Sequence, residues 1–151
     1  MLDCNQLLYW GQFTGRSLPM ISGRWAEQEW NLCGRYIPYA FGGGYILSRK
    51  LVGMIARVWT RLKIYRNEDV SIAMWLAPYK VNKKHDDAGF ESVGCHNNMA
   101  ITHKVGITRM LRYHNSLATT GRLCVKEALI SPLYCTRTIG PSHQASVAMG
   151  A

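Results

Sequence analysis

Leu51, Val52, Ile55, Val58, Trp59 and Leu62 recur three and four residues apart, with Arg49, Lys50, Arg57 and Arg61 between them. That spacing predicts an amphipathic helix over residues 49–63, with Ser48 placed to cap its N-terminus. A second helix is predicted over 68–77. Glu68 and Asp69 put negative charge where the helix dipole favours it, and Pro78 ends the run. A third is predicted over 106–119, with Ile107, Met110, Leu111, Tyr113 and Leu117 as apolar positions and Gly121 as terminator. Elsewhere the pattern is weak. Residues 1–47, rich in Gly, Pro and aromatics, read as loops with one or two short elements, among them a helical turn over 28–32. Residues 79–98 read as irregular or edge-strand structure, and 98–103 (NMAITH) as a short strand. From Ser131 onward small, polar, Pro and Gly residues dominate, which predicts a divergent or disordered tail over 131–151.

One stretch, YAFGGGYILS from Tyr39 to Ser48, breaks every pattern. Three adjacent glycines weaken a helix or strand by roughly 0.5–1 kcal/mol each, so bare backbone there needs a reason. Gly42 and Gly44 lack the third glycine of a dinucleotide fingerprint, and no Gly-Lys-Ser/Thr follows. Two readings remain. One is a turn that joins two elements. The other is a loop whose missing side chains let a ligand lie on backbone N–H groups, with Tyr39, Phe41 and Tyr45 offering ring faces to a sugar.

At 151 residues and 48% hydrophobic, the chain suffices for one core. Charged residues make up 18% without a repeat or a long like-charge block, which excludes wholesale disorder. The net charge of +9 leaves two readings, a solvated basic surface or an anionic partner. No apolar run reaches the roughly 18 residues of a membrane span, and the N-terminus lacks the pattern of a signal peptide. Five irregularly spaced cysteines with no C-x-x-C pair argue against a zinc ribbon or a thioredoxin-type site, and their odd number precludes complete internal pairing. Cys95, His96 and His103 match no zinc spacing. His85-Asp86-Asp87, set among Lys83, Lys84, Ala88 and Gly89, reads as a solvated turn rather than a metal cluster, and no Asp-x-Asp occurs. The Glu68-Asp69 pair also has two readings. It is a dipole-complementing cap, or it holds a general base whose proton affinity is raised by its neighbour and lowered by the helix N-terminus.

The blocks YIPYAFGGGYILS, NEDVSIAMWLAP and GCHNNMAITHK stand in this order, with LLYWGQFTGRS and GRWAEQEWNLCGRYIPYA upstream and TGRLCVKEALI downstream. Each is weak alone. Together they resemble the C-terminal half of the β1,3-galactosyltransferase family (glycosyltransferase family 31), over residues 7–130. The resemblance implies an α/β chain that is the C-terminal, incomplete part of a GT-A glycosyltransferase fold. It implies an inverting enzyme that transfers galactose from UDP-galactose, in β1,3 linkage, to the galactosyl-xylosyl acceptor of the proteoglycan glycosaminoglycan linker. It further implies a Golgi membrane location with a luminal catalytic part, the N-terminal anchor lying outside this chain.

By the same resemblance Asp69 is the catalytic base, while Gly42, Gly43, Gly44, Tyr45 and Glu68 bind substrate. His103 is implied as a ligand of a divalent metal, Mn2+. The Asp-x-Asp half of the family pattern would precede residue 1, so this chain is expected to be inactive alone. Ala73 stands where relatives commonly carry glycine, and its methyl either narrows the cleft or is harmless. Two alternatives accompany this reading. A UDP-N-acetylglucosamine donor is opposed by the EDVSIAMWLAP block. A non-catalytic basic module for acidic glycans or nucleic acid is opposed, for nucleic acid, by the lack of basic-aromatic alternation.

Overall fold

The heptapeptide LYWGQFT, Leu8–Thr14, forms strand β1 at the centre of a three-stranded sheet. It pairs antiparallel with β2 (Tyr39–Leu47) and parallel with β3 (Asn82–His85). Leu8, Tyr9, Gln12 and Phe13 are all buried, so β1 is covered on both faces. A strand buried on both faces shows no inside–outside alternation, which is why the pattern alone read this region as loop. The protein is described here, as a computed structural model, over residues 6–90 and 95–124.

The glycine triplet lies inside the nine-residue strand β2, not in a loop. Tyr9 faces Leu47 and Thr14 faces Tyr39, with a register shift between Gly11 and Phe13. The pairs Phe13–Ala40 and Gly11–Tyr45 bracket the triplet, which lies within that register shift opposite Gln12. Helix α1 covers Arg49–Val58 and tightens into a 3₁₀ turn at Trp59–Arg61, so the regular helix stops short of residue 63. Ser48 occupies its N-cap position, but the hydroxyl does not cap. Ser48 Oγ accepts the Leu8 N–H at 3.2 Å while the Ser48 N–H donates to Leu8 O at 2.9 Å, which prolongs the β1–β2 ladder.

Helix α2 spans Glu68–Leu76 and α3 spans Ile107–Thr120, both close to expectation. Gly121 adopts φ +69 and donates its N–H to Leu117 O, a left-handed terminus that glycine adopts freely. Two expected elements are absent. Residues 28 and 29 make a turn without a helical continuation. Residues 98–103 form no strand, because the Ala100 and Ile101 N–H groups both donate to Gly89 O, at 2.8 and 3.0 Å, and leave no ladder to extend.

Tyr9, Phe13, Ala40, Leu51 and Leu76 form the main core, with Tyr45, Leu47 and Ile55 packed around it. The Tyr9 hydroxyl accepts the Ala40 N–H at 3.1 Å, and burial pushes its pKa far above the ordinary tyrosine value. Tyr36, Tyr39, Val70 and Ala73 form a second cluster. Cys95 and Cys124 are joined in a disulfide, and Cys33 is an exposed free thiol. Among the described residues no helix is long and apolar enough to cross a membrane. The tail expected over 131–151 lies outside the described residues.

Candidate functional site

Helix α2 packs on β2, and its first turn is shaped by side chains that reach away from it. Asn67, at the N-cap position, does not cap. Its Nδ2 donates to Trp25 O at 3.3 Å and to the Tyr36 hydroxyl at 3.5 Å. Ser71 Oγ accepts the Tyr65 N–H at 2.9 Å and donates to Asn67 O at 3.1 Å, fixing the entry of the chain into the helix. Asp69 then reaches β2. Its Oδ2 accepts the Gly42 N–H at 2.8 Å and its Oδ1 accepts the Val70 N–H at 2.8 Å.

That contact explains the bare backbone. A methyl at residue 42 would sit 3.1 Å from both Asp69 Oδ2 and Glu68 Oε1. At residue 43 it would lie 3.1 Å from the His103 ring, and at residue 44 only 2.6 Å from Ile101 Cδ1. The glycines therefore make room first for this chain's own carboxylates, imidazole and Ile101.

A cleft of about 600 Å³ opens on these groups. Gly42, Gly43, Gly44, Glu68, Asp69 and His103 all line it, so segments far apart in the chain converge there. An aromatic row leads into it, with Tyr36, Tyr39 and Phe41 in the lining and Trp30 behind them. Trp30 meets Tyr36 at 4.8 Å, Tyr36 meets Tyr39 at 5.9 Å, and Tyr39 meets Phe41 at 5.7 Å between ring centroids. Tyr45 is the exception among the expected site residues. It is not part of the lining and packs edge-on against Tyr9 at 5.6 Å, and burial foremost pushes its hydroxyl up to about 12.

Burial raises the Glu68 carboxyl above its ordinary value, and the charge of Asp69 raises it further. Burial also raises Asp69, while the N–H groups of Gly42 and Val70 pull it back. The like-charge effect expected of the pair therefore falls on Glu68, and desolvation governs Asp69. A carboxylate of raised proton affinity, anchored by two backbone N–H groups and facing a cleft, is suited to take a proton from a bound hydroxyl.

Residues 14–87 match the family model described as galactosyltransferase. The chain is 41% identical over 140 residues to mouse beta-1,3-galactosyltransferase 6, covering 91% of this chain and 43% of that protein. Residues 14–87 thus carry a galactosyltransferase family domain. The chain is also 34% identical to a zebrafish UDP-GalNAc:beta-1,3-N-acetylgalactosaminyltransferase 2, over 61% of this chain and 18% of that protein. The Arabidopsis thaliana hydroxyproline O-galactosyltransferase GALT6 is 30% identical over 76% of this chain and 18% of its own length. The chain thus spans less than half the length of these curated relatives.

In this galactosyltransferase segment Ala73 is 1% exposed and packs with Tyr36, Tyr39 and Val70. Its methyl fills the core beside the aromatic row and is no part of the cleft lining, so it does not narrow the cleft. His103 borders the cleft as a single imidazole, and Cys95 is consumed by its disulfide. Among the described residues no group of three or more His, Cys, Asp or Glu side chains is placed to hold a metal ion. These residues do not by themselves make a metal site.

His85, Asp86 and Asp87 are not a solvated turn. The Trp10 indole N–H donates to Asp86 Oδ2 at 3.0 Å, and Gly89 N–H donates to Asp86 Oδ1 at 2.7 Å. Gln12 Nε2 donates to Asp87 Oδ1 at 3.1 Å. His85 Nδ1 accepts the Phe13 N–H at 2.9 Å, and its Nε2 lies 3.0 Å from Asp87 Oδ2. The acids thereby rivet the end of β3 to β1. Residue-by-residue reading missed Gln12, Trp25, Asn67 and Phe90 as cleft residues. Trp25 stands in the block GRWAEQEW, which carried the family resemblance, and that was the signal available for it.

Proposed function

We propose that this chain forms the acceptor-facing part of an inverting β1,3-galactosyltransferase of GT-A type. In this reading it moves galactose from UDP-galactose onto the galactosyl-xylosyl unit of the proteoglycan linker, in the Golgi lumen. The observation that carries the reading is Asp69, held by the Gly42 and Val70 N–H groups beside Glu68 in the cleft. As an acceptor hydroxyl oxygen attacks the anomeric carbon, the new C–O bond forms, the bond to UDP breaks with its electron pair leaving on UDP, and the hydroxyl proton passes to Asp69. Glu68, beside it, orients the acceptor by accepting hydrogen bonds from its hydroxyls.

His103 is the donor that this part of the chain offers toward a divalent cation such as Mn2+. Such a cation, when bound, neutralises charge on a departing diphosphate. Its remaining donors would come from outside the described residues. Galactose is favoured as the sugar because the mouse galactosyltransferase is the more similar relative over the larger share of the chain, although the zebrafish relative is named for N-acetylgalactosamine.

The test is a chimera in which this chain replaces the aligned part of the mouse relative. It should transfer galactose to a galactosyl-xyloside in preference to N-acetylgalactosamine. A preference for UDP-N-acetylgalactosamine would overturn the donor, and no transfer of either sugar would overturn the enzyme reading. In the active chimera His103→Ala should shift the Mn2+ titration to higher concentration, and an unmoved titration removes His103 from the metal.

A further inference from the structure

Trp25 is 50% exposed yet lines the same cleft as Asp69. The Arg24 guanidinium lies 4.7 Å from the centroid of its ring and covers one face of the indole, while half of the residue stays exposed. Leu18 and Met20, at 61% and 49% exposure, line the cleft with it and give this end an apolar rim. An exposed indole beside two exposed aliphatic side chains is costly to leave in water and well matched to a partly apolar ligand.

The backbone at Trp25 is also tied to the segment that leads into the acidic pair. Trp25 O accepts a hydrogen bond from Asn67, the residue that immediately precedes Glu68 and Asp69. Glu27, two residues beyond Trp25, is 6% exposed and accepts the Arg66 N–H on Oε2 at 2.6 Å. Its Oε1 accepts the Glu29 N–H at 3.4 Å, and its own N–H donates to Met20 O at 2.9 Å. A buried carboxylate is tolerated only when it is hydrogen-bonded, so Glu27 and the backbone it holds are fixed together. Two separate clamps, Asn67 and Glu27, therefore set the position of Trp25 relative to the start of α2.

We propose that Trp25 is the platform for the acceptor glycan, with the C–H face of a pyranose against the indole face opposite Arg24. Asn67 and Glu27 are its positioning residues. They keep the platform in register with Asp69, so that a sugar lying on the ring presents a hydroxyl to that carboxylate. The ligand is a neutral pyranose-containing oligosaccharide rather than the nucleotide, because the backbone that carries the ring is tied through Asn67 to the segment of Asp69, the group that works on the acceptor. The assignment of an acceptor side rests on the galactosyltransferase reading above.

The experiment titrates the 151-residue chain with methyl β-galactosyl-(1→4)-β-xyloside and, separately, with UDP, reading affinity by calorimetry and following tryptophan emission in parallel. Wild type, Trp25→Leu, Trp25→Phe and Glu27→Gln are compared, each with a thermal melt. The disaccharide should perturb the emission of wild type. Trp25→Leu should abolish that signal and weaken disaccharide binding about three- to tenfold, the range expected for one lost aromatic contact. Trp25→Phe should retain most of the affinity, Glu27→Gln should weaken it with the indole present, and UDP binding should be unchanged throughout. No response of wild type to the disaccharide, or a disaccharide affinity unaltered by Trp25→Leu, overturns the platform. So does an effect confined to UDP. The chimera separates the two readings. If it transfers no galactose while the disaccharide still perturbs Trp25, the enzyme reading fails and the platform stands. If it transfers galactose and Trp25→Leu leaves the acceptor KM unchanged, the platform fails and the enzyme reading stands.

Discussion

Helix α3 carries a clear apolar stripe, and α2 carries almost none, yet α2 is the buried one. Val70, Ser71, Ala73 and Leu76 of α2 are each 1% exposed. On α3, Ile107, Met110, Leu111 and Leu117 are between 52% and 78% exposed, and its buried residue is the polar Ser116. Periodicity states which face a helix would bury, and only a partner buries it. A helix enclosed on several sides loses its stripe because several faces must be apolar. The candidate chemistry sits at the start of the enclosed helix, where β2 holds the Asp69 carboxylate.

The comparison breaks first at Leu76. Leu76→Ala should destabilise the chain by about 2–5 kcal/mol in urea titration, because it opens a void in the core shared with Tyr9, Ala40 and Leu51. A cost under about 1 kcal/mol would mean that α2 is not packed as described. Tyr9→Phe is next. It strands the buried Ala40 N–H and should cost about 1–3 kcal/mol. A neutral result would show that water or a shifted strand satisfies that group.

A smaller effect concerns pH. Glu68 and Asp69 hold protons more tightly in the folded chain than their ordinary values allow. The folded state then binds more protons than the unfolded one between the ordinary and the raised values, so stability falls as pH rises through that window and is greatest below it. The double variant Glu68→Gln with Asp69→Asn should flatten the urea midpoint across about pH 4 to 7. An unchanged slope would place the pH dependence elsewhere. The smallest effect is expected on α3, where Leu111→Ala should stay within about 0.5 kcal/mol. A loss as large as that of Leu76→Ala would show that the α3 stripe has a packed partner.

The same contrast explains what was legible. The ends of α2 and α3 were readable because local chemistry sets them, Pro78 for one and Gly121 for the other. The convergence of Gly42, Asp69 and His103 followed from the family resemblance, since no local rule brings residues so far apart to one cleft. Strands β1 and β2 were not legible. Burial on both faces removes alternation from β1, and glycine lowers the strand preference of β2, where contacts with Asp69, His103 and Ile101 decide instead. The acids after β3 were misread for the same reason. Their partners, Trp10 and Gln12, lie more than seventy residues away.

The most direct test of the central claim, that Asp69 is the base of a galactosyl transfer, is the turnover of Asp69→Asn in the chimera at saturating UDP-galactose. Both carboxylate oxygens accept backbone N–H groups, and an amide keeps only one acceptor, so a loss of about 1–2 kcal/mol in stability is expected and a melt must accompany the assay. With the folded fraction accounted for, turnover should fall by about 10²–10⁴-fold, the usual contribution of a general base. Glu68→Gln should fall less and show its loss in acceptor KM. Near-wild-type turnover in Asp69→Asn, with or without a loss in Glu68→Gln, would contradict the account.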